Sequence, residues 1–98
     1  MIVGTTPTHS FSTPCKASDV AKVRVLYSQD DVLILTKTDC TIEDNQISVT
    51  LTQEDTFLFN ADTFAEVQVR ILTTSNDLLE SIPVRFGITK CLENEVLI

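Results

Sequence analysis

The sequence predicts an all-β fold: an antiparallel β-sandwich of immunoglobulin-like or related topology, with six or seven strands and one short helical turn near residues 53–57. Three observations predict it. Apolar residues alternate in the sets Val23, Val25, Tyr27; Ile47, Val49, Leu51; Val67, Val69, Ile71; and Ile82, Val84, Phe86, Ile88. This is the period of strands that bury one face and solvate the other. Turn-forming residues recur about every ten positions, the spacing of hairpin-connected strands. Between the strands there is no helical segment long enough for a parallel crossover. A small barrel satisfies the same pattern and is the alternative architecture.

The first strand is expected at Thr8–Pro14, where Pro7 and Pro14 bracket Phe11 and favour an edge position. After a turn at Ser18-Asp19, Val20–Gln29 places Val23, Val25 and Tyr27 inward and Lys22 and Arg24 outward. A turn at Gln29-Asp30-Asp31 returns the chain as a hairpin strand, Val32–Thr38. Val32, Leu33, Ile34 and Leu35 are consecutive apolar residues, so this strand is expected to be central or to have its outer face covered.

Asp39–Gln46 reads as turn-rich, with a tight connection at Glu43-Asp44-Asn45, and Ile47–Thr52 as the next strand. Thr52-Gln53-Glu54-Asp55 then has the form of a capping box, in which the Thr52 hydroxyl accepts from the third helical N–H. One helical turn is expected there, with Phe57, Leu58 and Phe59 folding back on the core. Ala65–Thr74 is the fifth strand, and Leu78–Leu92 contains a last, long one with Gly87 as a bulge.

At 98 residues the chain has room for one core, so residues 1–98 are read as a single domain. Apolar residues make up 43% of it, which disfavours disorder. The net charge of −7 repels phosphate backbones and anionic lipid, so neither nucleic acid nor a membrane is an expected partner. No apolar run approaches the length of a bilayer span, and the opening Met1–Pro7 lacks the basic and apolar regions of a signal peptide, so the protein is expected to remain where it is made. Cys15, Cys40 and Cys91 form an odd, widely spaced set that reads as reduced thiols.

The catalytic inventory is thin. His9 is the only histidine, and hydrolase chemistry through it would need partners that Ser10, Ser12 and Cys15 supply only in sequence; a hydrogen-bonded edge histidine is the simpler reading. The acid pairs Asp30/Asp31, Glu43/Asp44 and Glu54/Asp55 all fall in expected turns or a first helical turn. Zinc would require Cys15, Cys40, Cys91 and His9 to converge without short ligand spacing, and no calcium loop pattern occurs. No enzyme activity, cofactor or small-molecule substrate is expected. With no Trp and one Tyr, carbohydrate recognition is also disfavoured.

Binding surfaces remain. Arg24, Arg70 and Arg85 fall on outward phases and can line one face. The candidate partner-binding residues are Val96, Leu97 and Ile98, which follow Glu93-Asn94-Glu95 and are expected either to add an edge strand to their own sheet or to dock on a neighbouring subunit.

Several segments carry a resemblance: Gly4-Thr5-Thr6-Pro7-Thr8-His9-Ser10-Phe11, Val23-Arg24-Val25-Leu26-Tyr27-Ser28-Gln29-Asp30, Leu51-Thr52-Gln53-Glu54-Asp55-Thr56-Phe57, Val67-Gln68-Val69-Arg70-Ile71-Leu72-Thr73 and Lys90-Cys91-Leu92-Glu93-Asn94-Glu95-Val96-Leu97. Over nearly the whole chain these resemble small phage and prophage proteins of Firmicutes, particularly gut clostridia. The strand pattern and the Leu-Thr-Gln-Glu turn are more loosely similar to the N-terminal β-sandwich of phage baseplate upper proteins. The resemblance implies a non-enzymatic virion or assembly component, acting through protein–protein contacts with other virion proteins or with its own copies, in the virion or the bacterial host cytoplasm. The competing class is a free-standing immunoglobulin-like domain that recognises a host-cell component.

Overall fold

The computed structural model describes residues Met1–Ile98 and contains eight strands in two antiparallel sheets. Strands β1 (Thr8–Ser12), β4 (Thr41–Glu43) and β5 (Gln46–Thr50) form the smaller sheet, in the order β1-β5-β4. Strands β2 (Val20–Gln29), β3 (Val32–Lys37), β6 (Thr63–Thr73) and β7 (Leu78–Glu80) form the larger one, in the order β3-β2-β6-β7, with β8 (Val84–Ile88) also paired to β6. The fold is a two-sheet antiparallel β architecture, but the consecutive hairpin β2–β3 stays within one sheet, which departs from the immunoglobulin order, in which the second and third strands lie in opposite sheets.

The hairpin turns β2–β3 and β4–β5 are two residues long and need positive φ at each position. Asp30 and Asp31 supply φ of 52° and 61°, and Asp44 and Asn45 supply 49° and 59°. Asp and Asn tolerate this region, and the resulting twist matches that of the strands they join.

The inner faces meet as the alternation requires. Val25 and Tyr27 of β2, Ile47 and Val49 of β5, and Ala65, Val67, Val69 and Ile71 of β6 are all buried in one cluster with Val3, Cys15, Leu51, Phe59 and Ile88. Tyr27 is fully buried and makes edge-on contacts with Phe59 and Phe86. The capping box is present in α1 (Gln53–Phe57): the Thr52 hydroxyl accepts from the Asp55 amide at 3.0 Å, and the Asp55 carboxylate accepts from the Thr52 amide at 2.9 Å. Phe59 enters the core and Phe57 packs against it, whereas Leu58 is 54% exposed and does not fold back. Gly4 is required beside Phe57, because at φ 81° a Cβ there would lie 2.7 Å from the ring.

The strand expectations are corrected in further places. Strand β3 is an edge strand, and Val32 and Leu33 are exposed. Its continuous apolar run reflects a bulge: Tyr27 pairs with Leu35 but Ser28 with Leu33, so Ile34 is an extra residue and the facing of the side chains switches across it. A short strand, β4, lies within the expected loop, pairing Ile42 with Ile47.

The expected long last strand is broken. β7 pairs Arg70 with Glu80 and β8 pairs Val67 with Val84, so Ser81, Ile82 and Pro83 face only Gln68 and Val69. Pro83 has no N–H to continue the ladder. Ser81 closes the gap: its amide donates to the Val69 carbonyl and its Oγ accepts from the Val69 amide, both at 2.9 Å, while Gln68 Nε2 donates to the Ser81 carbonyl at 2.9 Å. Ile82 is consequently 81% exposed, and Gly87 sits in regular pairing opposite Phe64.

Candidate functional site

The outer faces of the two sheets differ in chemistry. On the smaller sheet Thr8 pairs with Thr50 and Ser10 with Ser48, their hydroxyls hydrogen-bonded at 2.8 and 3.1 Å. Ser12, Gln46, Thr41 and Glu43 complete a polar surface of the kind strands normally turn to water.

The larger sheet presents Leu26, Leu33, Phe64, Leu72 and Leu78 on its outer face, interleaved with Lys22, Arg24, Arg70 and Arg85 and with two carboxylates, Glu66 opposite Arg85 and Glu80 opposite Arg70. These four cations are a majority of the seven Lys and Arg residues in a chain of net charge −7. Arg24 lies directly opposite Arg70 in the β2–β6 register, and like charges so placed repel. Glu80 answers one of them, accepting from Arg70 Nε at 2.8 Å. In the next row Lys22 is opposite Leu72, which pairs with Leu78. A shallow depression of about 240 Å³ lies among Lys22, Val23, Arg24, Arg70, Leu72 and Leu78. Further along the face the Arg85 guanidinium stacks 4.3 Å from the centre of the Phe64 ring.

The candidate residues Val96, Leu97 and Ile98 lie beside α1. Gln53, its first residue, uses both ends of its side-chain amide on one backbone unit: Nε2 donates to the Leu97 carbonyl at 2.9 Å, and Oε1 accepts from the Leu97 amide at 2.7 Å. Val96 is half-buried, while Leu97 and Ile98 are 76% and fully exposed. The tail forms no additional strand. Past β8, Thr89 exchanges hydrogen bonds with Met1 and Val3, and the tail then meets α1, where Gln53 takes its backbone.

A second apolar opening lies between the sheets. A cleft of about 440 Å³ is lined by Phe11, Ile47, Val67, Val69, Ile71 and Val84. Leu79 and Val84 on its β7–β8 side are exposed. The sequence signal for it was Pro83, which interrupts the alternation that otherwise reads as one strand.

The groups considered for catalysis have structural partners. His9 points inward from β1, its Nδ1 2.6 Å from the Tyr27 hydroxyl, and packs on the rings of Tyr27 and Phe86. Burial, with the Met1 α-ammonium adding to it, lowers the His9 pKa below its ordinary value and favours the neutral ring, which shares one hydrogen bond with the phenol. Burial raises the Tyr27 pKa, with the charges of Cys40 and Asp55 acting in the same direction. Asp30/Asp31 form the β2–β3 turn, and Asp44 helps form the β4–β5 turn. Asp55 caps α1 and accepts from Lys37 Nζ at 2.9 Å.

Cys15, Cys40 and Cys91 are all free thiols, and burial raises the Cys40 pKa. They do not converge with His9: no three His, Cys, Asp or Glu side chains gather in a metal-binding arrangement. No helix is long and apolar enough to cross a membrane. No protein-family model, curated protein or solved structure gives a significant match to this chain.

Proposed function

We propose that this chain is a non-catalytic structural or assembly module, phage-derived, that acts through protein–protein contacts within a virion or on the route to one. The observation that carries the reading is the contrast between the two outer faces. The smaller sheet ends in hydroxyls, whereas the larger one holds Leu26, Leu33, Phe64, Leu72 and Leu78 among four cations at positions where a free-standing sandwich gains nothing by placing them. Apolar side chains framed by Arg are what a protein partner buries well. The segmental resemblance to prophage proteins of Firmicutes supports the virion setting, and its constituent motifs contribute strands and caps rather than reactive groups.

The test is particle composition. In an induced lysogen encoding the protein, particles purified by density gradient should contain the chain at a fixed copy number per particle. Deleting its gene should stop assembly at a defined intermediate. Recovery of the chain only in the free lysate fraction, with unaltered particle yield, would overturn the proposal.

A further inference from the structure

We infer that the outer face of the larger sheet receives residues 93–98 of a second copy of this chain, laid along β2 so that Glu93, Glu95 and Leu97 meet Lys22, Arg24 and Leu26. The inference rests on the assembly reading above and names the partner.

The first argument is charge. Lys22, Arg24 and Arg70 crowd one end of this face with Glu80 as the one carboxylate paired to them, and the Arg24/Arg70 register places like charges directly opposite. Such an arrangement costs stability in an isolated sheet and gains when anions arrive. The chain is otherwise strongly acidic, so another copy is a source of anions that is always at hand.

The second argument is spacing. Residues two apart on a strand are about 6.8 Å apart and share a face. Lys22, Arg24 and Leu26 present cation, cation and aliphatic at this interval, and Glu93, Glu95 and Leu97 carry anion, anion and aliphatic at two-residue steps, which meet the same interval once the bend at Glu95 straightens on docking. Leu72 and Leu78, beside Lys22, widen the apolar floor.

The third argument is that the receiving face belongs to another copy. Gln53 holds the Leu97 backbone at α1. This helix is tied through Asp55 to Lys37, whose β3 position is opposite the inward-facing Val25. Lys22, Arg24 and Leu26 point out of the other side of β2. A contact in which different surfaces of two identical chains meet is heterologous, and it propagates into a ring or a row.

Analytical ultracentrifugation of the full chain over a concentration series tests this. Expected is association that weakens as salt rises, since the pairs are solvent-accessible. Glu93→Lys/Glu95→Lys and Lys22→Glu/Arg24→Glu should each weaken it at least tenfold. All four positions are exposed, and unchanged thermal unfolding confirms that the variants fold. Mixing the two variants should restore association, because the reversed segment of one then faces the reversed sheet of the other.

A parent chain that is monomeric throughout, or variants that associate like the parent, or a mixture that stays dissociated, would each overturn the inference. Those results leave the assembly proposal standing or falling on particle composition alone.

Discussion

The Nδ1 of His9 and the hydroxyl of Tyr27, 2.6 Å apart, join the edge strand of one sheet to an interior strand of the other. Each side chain is the other's polar partner inside an aromatic cluster with Phe59 and Phe86. His9→Phe therefore strands the Tyr27 hydroxyl, and Tyr27→Phe strands the imidazole, so each is expected to cost about 1–3 kcal/mol in urea unfolding, while the double variant recovers part of the loss. The pH dependence follows from the lowered His9 pKa. The folded state binds the proton more weakly than the unfolded state. The stabilisation is fully present above the ordinary histidine value of 6.5 and is lost as pH falls through the lower folded value. His9→Phe should lack that slope.

Asp55 does two jobs at once, capping α1 and accepting from Lys37 with both side chains largely buried, 17% and 13% exposed. Burial opposes its ionisation, but the Thr52 amide and Lys37 outweigh this and hold its pKa below the ordinary 3.8. Its contribution is present above 3.8 and is lost as pH falls through the lower folded value, so acid unfolding should begin at this helix. Asp55→Asn should cost about 1–3 kcal/mol at neutral pH and flatten the acid limb of the stability profile.

The break between β7 and β8 makes Ser81 more important than its exposure implies. Ser81→Ala leaves the Val69 amide without its acceptor and is expected to cost about 1–3 kcal/mol. Gln68→Asp removes the donor to the Ser81 carbonyl and should cost less, about 1 kcal/mol, because that bond is exposed. Val69→Asp, which buries a charge at a position 6% exposed, should prevent folding. Circular dichroism and urea midpoints rank the three; equal effects at positions 68 and 69 would contradict the inward phase of Val69.

What the sequence disclosed, and what it hid, divides along local and non-local physics. Strands β2 and β6 and the Thr52–Asp55 cap were legible because each is encoded in one contiguous pattern, period two or a fixed three-residue step. β4 escaped because Ile42 is its one apolar residue, too little for a period, and its pairing depends on Ile47 across the hairpin. β3 reads as central or covered because an unbulged strand cannot use four consecutive apolar residues at an edge; the bulge at Ile34 changes that count and is visible only in the register with β2. Of the candidate site, the outward phases of Lys22, Arg24, Arg70 and Arg85 were readable residue by residue. That Arg24 faces Arg70 was not, since it depends on how two strands 46 positions apart align.

The contact between Gln53 and Leu97 gives the tail its own prediction. Both bonds are at the surface and neutral, so each is expected to contribute at the low end of about 0.5–1.5 kcal/mol, and only Val96 among the three aliphatic residues is even half-buried. Gln53→Ala should thus lower Tm by only a few degrees, on the scale of about 4–8 °C per kcal/mol for a domain this size. Deleting residues 93–98 should do little more, because Leu97 and Ile98 have almost no burial to lose. Limited proteolysis supplies the sharper readout: releasing Leu97 from Gln53 should speed cleavage within 93–98 while the sandwich stays intact. A large loss of Tm on deletion, with Gln53→Ala silent, would mean that the aliphatic side chains and not the amide clamp hold the tail in place.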